Sequence, residues 1–256
     1  MANFNAWCDS VNSNIGQHFL QVLTARATDF DNGVQATADV VPHHYASPEN
    51  IAVAFEVLGK HGVAGYVKEF LPISKQTRSG DIGEILATEW INARSNGYIV
   101  PLNRLRWKDH RNLAMRGEDV IGIYTSPESQ TLFFLKTEAK SRVKMSASTV
   151  KEARNNLNKE QGLPTPHALS FIATRLLEIG QPDLGRAILR ASLSQGILPG
   201  HVRHLIFLLS GNASDGLLTT SMNAYQGNIE QMGVAVMVVR HGEFIEQVFE
   251  TVIRHA

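Results

Sequence analysis

Thr131–Arg142, TLFFLKTEAKSR, reads as a β-strand that starts in a core and ends in a cleft. Side chains alternate along a strand. One face therefore carries Leu132, Phe134, Lys136, Glu138, Lys140 and Arg142, and the other Thr131, Phe133, Leu135, Thr137, Ala139 and Ser141. Both faces are apolar early and polar late, and Glu138 stands beside Lys140 on one of them. Upstream, Asp119-Val-Ile-Gly-Ile-Tyr124 opens a second strand-like run with a carboxylate at its head. An acid heading one strand and acid-x-Lys on the next is the arrangement that a metal-dependent phosphodiester hydrolase needs.

Two carboxylates and a backbone carbonyl suit Mg²⁺, a hard cation that takes oxygen ligands and keeps several waters. Such an ion neutralises a phosphate oxygen and lowers the pKa of a bound water. In this reading Asp119 and Glu138 are ligands, Ala139 offers its carbonyl, and Lys140 orients the water or stabilises transition-state charge; Mn²⁺ would serve in place of Mg²⁺. Acid-x-Lys is a weak pattern by itself, matched by chance roughly once in a chain of this length. Among the nine lysines, however, only Lys140 has an acid two residues before it. The competing reading is a solvated charge pair, which contributes little to stability.

At 256 residues the chain has room for one large core with a helical appendage. Its 43% hydrophobic and 19% charged residues are those of an ordinary globular protein. The longest apolar runs, Leu205–Leu209 and Val234–Val239, are too short to cross a bilayer. MANFNAWCDS lacks the basic and apolar regions of a secretory signal. A single cysteine, Cys8, leaves no intrachain disulfide, so a cytoplasmic location is expected. Net charge is zero but unevenly spread. Residues 76–159 hold fourteen Lys/Arg and nine Asp/Glu, a local surplus of +5. The surplus gathers around the proposed site, at Arg104, Arg106, Lys108, Arg111 and Arg116, then at Lys136, Lys140, Arg142, Lys144, Lys151, Arg154 and Lys159. A basic patch of this kind fits a phosphate backbone, with nucleic acid as the expected partner.

The expected organisation is a mostly helical accessory region over 1–75, followed by a catalytic domain over 76–256 with a helical hairpin inserted at about 165–196. Ser47 and Pro48 mark a helix start at Pro48–Lys60. Asp81–Asn96 reads as a helix with Ile82, Ile85, Leu86 and Trp90 on one face. Strands are expected at Tyr98–Leu102, Asp119–Tyr124 and Leu132–Lys140, as an antiparallel meander. A polar surface helix follows at Ala147–Glu160, then the hairpin His167–Ile179 and Asp183–Ser194. His201–Leu209 and Val234–Val239 read as buried strands, and Phe244–Ile253 as a terminal amphipathic helix. The fold class is α/β (α+β), a mixed central sheet flanked by helices.

Helix, strand, Asp119 strand, Glu138-x-Lys140 strand, helix is the layout of the restriction-endonuclease-like PD-(D/E)xK nucleases. Within Arg78–Ala173, RSGDIGEILATEWINAR, NLAMRGEDVIGIY, LFFLKTEAKSR and STVKEARNNL together resemble the family of nuclease subunits of the Hachiman antiphage defence system. The resemblance implies a metal-dependent DNase controlled by a helicase partner. Glu118 stands where the superfamily has proline, so Glu118 competes with Asp119; Asp119 is preferred because it opens the apolar alternation. The resemblance also offers Glu84, on the first helix, as a further ligand. Asp81-x-x-Glu84 is equally a capping signature, in which Glu84 would serve its own helix.

Other candidates carry bland readings. His43-His44 and His201-x-x-His204 lack zinc-helix spacing and are expected to be structural or surface residues. Trp107, inside the basic run RLRWKDHR, is the tryptophan most worth testing on DNA. Besides cleavage, the same residues fit a catalytically inactive module that binds nucleic acid or docks on an ATP-driven partner, and a hydrolase of small phosphoesters.

Overall fold

A computed structural model describes residues 1–94, 96–115 and 117–255. In chain order the strands are β1 (Cys8–Ile15), β2 (His18–Ala25), β3 (Val120–Thr125), β4 (Leu132–Arg142), β5 (Val202–Ser210) and β6 (Glu230–Met237). The helices are α1 (Phe30–Ala38), α2 (Val41–Tyr45), α3 (Pro48–Phe70), α4 (Lys75–Arg94), α5 (Ala147–Leu157), α6 (Pro166–Glu178), α7 (Pro182–Arg190), α8 (Asp215–Asn223) and α9 (His241–His255). The six strands form one mixed sheet in the order β1-β2-β6-β5-β4-β3. β4, β5, β6 and β2 run parallel, while β3 and β1 pair antiparallel at the two edges.

Helices cover both faces. Ile82, Ile85, Leu86 and Trp90 of α4, with Phe244, Val248 and Phe249 of α9, pack against Leu205, Phe207 and Val234 on one side. Val150 and Leu157 of α5, with Leu218 and Met222 of α8, pack against Ile206 and Leu208 on the other. Leu169, Ile172 and Ile188 of the α6–α7 hairpin meet Ile121 and Phe134. A strand covered on both faces needs a continuous apolar run, and β5 carries one at Leu205–Leu209. At the N-terminus of α3 the Ser47 side chain accepts from the amide of Asn50 at 3.1 Å, the expected cap.

Three expectations are corrected. Residues 1–75 are mostly helical, but they also carry two unexpected strands, β1 and β2, a hairpin that pairs with β6 and extends the central sheet. β1 is an exposed edge strand of sequence CDSVNSNI, so it has no apolar alternation to announce it. Tyr98–Leu102 is not a strand, and only Ile99 bridges to Ile123. The antiparallel meander is therefore reduced to β3 and β4, with β5 parallel to β4. Finally, α4 starts at Lys75, which places Asp81 and Glu84 inside the helix rather than at its N-terminus. α4 also approaches β4 closely: a Cβ on Gly83 would stand 3.1 Å from the Cβ of Ser141.

Candidate active site

β4 outruns β3, whose last ladder pair toward the site is Val120 with Thr137. Beyond that pair the amide of Ala139 finds its acceptor in a side chain, Asp119 Oδ2, at 2.9 Å. Asp119 is thereby tied to the residue between Glu138 and Lys140. Glu138 Oε1 lies 2.9 Å from Lys140 Nζ and accepts from Asn156 Nδ2 at 2.7 Å. Lys140 Nζ also donates to Glu152 Oε1 at 2.9 Å. Glu152 and Asn156 are four residues apart on α5 and so share a face. Neither was anticipated from the sequence, although that spacing on a polar helix was a usable signal.

Both acids are held above the ordinary carboxylate range. Burial pushes Asp119 up to about 6, opposed by Arg104 and reinforced by Glu84. Glu138 is raised first by burial and then by the charge of Asp119, against hydrogen bonds from Asn156 and Lys140. Burial works against the charge of Lys140, but Glu152 and Glu138 hold its pKa above the ordinary lysine value. Two partly buried carboxylates that repel one another beside a charged amine form a site in which added positive charge is favourable.

Glu84 forms a bidentate pair with Arg104, Nε to Oε1 at 2.7 Å and Nη2 to Oε2 at 3.0 Å. Arg104 Nη2 is also 3.6 Å from Asp119 Oδ1. Glu84 thus reaches Asp119 through a guanidinium. Among the described residues no three of His, Cys, Asp and Glu form a group placed to hold a metal ion. The expected ligands Asp119 and Glu138 thus offer two carboxylates, and Mg²⁺ is commonly held by one or two carboxylates with waters completing its shell. Glu118 is engaged elsewhere. Its oxygens accept from the amide and hydroxyl of Thr165 at 2.8 and 2.9 Å, anchoring the start of α6.

Glu84, Arg104, Asp119, Trp107, Lys108 and Phe171 line a cavity of about 460 Å³. Trp107 and Phe171 meet edge to face at 6.3 Å, and the guanidinium of Arg175 lies 5.8 and 5.5 Å from their rings. Much of the basic surplus counted from sequence is tied to partners within the protein. Arg104 pairs with Glu84, Lys108 with Asp81, Arg111 with Glu69, and Arg106 donates to the carbonyl of His43. Lys136 is buried, donating to the carbonyls of Lys159 and Leu163, and Arg154 is buried as well. Arg142, Lys144, Lys151 and Lys159 are exposed, and Arg116 lies outside the described residues. His204 is a structural histidine, with Nε2 2.8 Å from the carbonyl of Gly162.

The family model described as HamA matches residues 2–252. The chain belongs to the HamA family. It is similar to the Hachiman protein HamA of Bacillus cereus, at 24% identity over 247 residues that span 94% of this chain and 86% of that protein. The match runs through β1 and β2 as well as the EAK strand, so the whole sheet falls within the family. No helix among the described residues is long and apolar enough to cross a membrane.

Proposed function

We propose that this chain is a metal-dependent DNA nuclease of PD-(D/E)xK type, acting in antiphage defence under the control of a helicase partner. One observation carries the chemistry: Asp119, at the head of β3 and raised by burial and Glu84, and Glu138, within β4 and raised by burial and Asp119, flank the Ala139 amide with Lys140 2.9 Å from Glu138. HamA membership and the likeness to the Hachiman protein support the defence role and the partner. Asp119, Glu138 and the Ala139 carbonyl would hold Mg²⁺ or Mn²⁺, which when bound supplies a more acidic water and neutralises phosphate charge. Lys140, steadied between Glu138 and Glu152, presents its ammonium to the scissile phosphate. Arg104 adds a second positive group beside Asp119, and Glu84 holds it there. Glu84 thus acts through Arg104 here, and its direct ligation of a metal would require that pair to open.

The test is digestion of single- and double-stranded DNA by the purified chain, with and without the helicase subunit, in Mg²⁺ and in EDTA. Cleavage only with metal supports the proposal; metal-independent cleavage, or none in either preparation, contradicts it. A second reading has its own support. Arg104 already bridges Glu84 and Asp119, as it would in a module that binds DNA without cutting it. That reading predicts DNA binding with no divalent ion bound at Asp119 and Glu138.

Three further outcomes follow from the site. Asp119 has a folded pKa above its ordinary 3.8, so without metal its contribution to stability is full at low pH and shrinks as pH rises through about 6. Asp119→Asn is therefore expected to stabilise the metal-free protein at pH 7.5 by about 1–3 kcal/mol, read as a higher Tm. For the same reason Mn²⁺ affinity should be full above pH 6 and fall about tenfold per pH unit below it, because a proton must leave for the ion to bind. Calorimetric titrations at pH 5 and 7.5 measure this, and equal affinities would contradict it.

Trp107 gives the other outcome. Trp107→Ala is expected to weaken single-stranded DNA binding by about ten- to a hundredfold in fluorescence anisotropy, the loss of one stacked base. Unchanged affinity would return Trp107 to a packing role against Phe171.

A further inference from the structure

A second cavity, of about 700 Å³, opens between α5 and α8, on the opposite edge of α5 from Glu152 and Asn156. Lys151, Arg154 and Asn158, at helical spacing, face into it, and Tyr225, Ser221 and Thr220 close the other side. No acidic residue lines it among the described residues. Arg154 is only 9% exposed, yet it pairs with no carboxylate among them. Its Nη1 bonds Gln231 Oε1, its Nε lies 3.4 Å from Ser221 Oγ, and its guanidinium sits 5.0 Å from the centre of the Tyr225 ring. Its Nη2 is buried with no hydrogen-bond partner. An uncompensated buried guanidinium is costly, so its place in this wall calls for an anion.

The rim of the same cavity is strained. Glu160, Gln161 and Gly162 are consecutive left-handed residues, at φ 53°, 56° and 85°, and the last two line the cavity. Two of the three carry a Cβ, for which this conformation is disfavoured, and such residues cluster at ligand sites. Buried groups hold the turn in place. Lys136 Nζ donates to the carbonyls of Lys159 and Leu163, and His204 Nε2 meets the carbonyl of Gly162. A side chain at Gly162 would also collide with Ile229, whose Cδ1 would lie 2.6 Å from its Cβ.

We infer that this cavity is a binding site for the phosphate of a nucleotide, with Arg154 and Lys151 as its cationic partners and Tyr225 as part of the wall against the base or sugar. Nη2, the one guanidinium nitrogen without a partner, would donate to the phosphate, and the rim lysine supplies a second charge for a dianion. The walls from Val150, Leu217 and Ala224 suit a flat, partly apolar body, and the volume falls within the roughly 300–1,000 Å³ of small-molecule sites. The ligand would be a free mononucleotide or the phosphorylated end of a strand, which share this chemistry. The site is separate from Asp119 and Glu138 and does not rest on the cleavage reading.

The experiment is isothermal titration of the full chain in EDTA, which removes metal-dependent binding. The probes are inorganic phosphate, adenosine 5′-monophosphate, adenosine, and a dinucleotide with and without a 5′-phosphate. One site for a phosphorylated probe is expected, with the unphosphorylated twin at least about tenfold weaker. Tighter binding of the phosphorylated dinucleotide assigns the site to a strand end; tighter binding of the monophosphate assigns it to a free nucleotide. Arg154→Gln should weaken the phosphorylated probe by about ten- to a hundredfold, and the rim variant Lys151→Ala by severalfold. Should Arg154→Gln not fold, Lys151→Ala carries the comparison. No binding of any phosphorylated probe by the folded chain, or equal binding of phosphorylated and unphosphorylated probes, overturns the inference. Affinity unchanged in both variants also overturns it.

Discussion

Lys140→Ala is expected to fold and to lose DNA cleavage by at least about a hundredfold, the usual cost of removing a group aimed at transition-state charge. The lysine is well placed for that role. It is 13% exposed, bonded to Glu138 and Glu152, and one residue beyond the Ala139 amide that holds Asp119. Its removal does not strand its partners: Glu138 keeps the bond from Asn156, and the Glu152 side chain, 58% exposed, is left to water. Loss of cleavage with circular dichroism unchanged would therefore report on chemistry and not on folding. Lys140→Arg should restore little, because a planar fork does not replace a compact ammonium held between Glu138 and Glu152. Full cleavage by Lys140→Ala would remove the lysine from the mechanism.

Lys108→Met carries the largest expected effect on stability. Lys108 Nζ lies 2.9 and 2.7 Å from the two oxygens of Asp81, and Tyr45 donates its hydroxyl to the same carboxylate at 2.5 Å. The Lys108 and Asp81 side chains are only 4% and 8% exposed. Burial raises the pKa of Asp81, and the lysine is the main force opposing that rise. Breaking such a pair from one side leaves a buried charge and costs about 3–5 kcal/mol. For a chain of this size that is roughly a 6–20 °C fall in Tm. Replacing both members, as Lys108→Met with Asp81→Asn, should recover most of the loss, since the uncompensated charge is then gone. A single variant as stable as the parent would show that the pair is not what fixes α4 beneath the cavity.

The elements that were legible in the sequence are those whose pattern is set by the core. β4 announces itself by apolar faces that turn polar late in the strand, β5 by the apolar run Leu205–Leu209, and α9 by its helical stripe. β1 could not be read this way, because an edge strand open to water needs no apolar face; only Gly16-Gln17 before HFLQVLTA marked the turn. Counting charge overstated the basic surface, since Arg104 and Lys108 are consumed by Glu84 and Asp81 from α4, partners brought near only by folding. The same limit applied to Glu84, where local spacing pointed to a helix cap although the helix begins nine residues earlier. The engagement of Glu118 by Thr165, far along the chain, was likewise beyond local reading.

Mn²⁺ titration of the wild-type chain and of Asp119→Asn/Glu138→Gln, followed by electron paramagnetic resonance at pH 7.5, is the most direct test of whether these two carboxylates hold a divalent ion. One bound ion in the wild type and none in the folded double variant is the predicted result. Binding that survives in the double variant, or a wild type that takes up no ion, would contradict it.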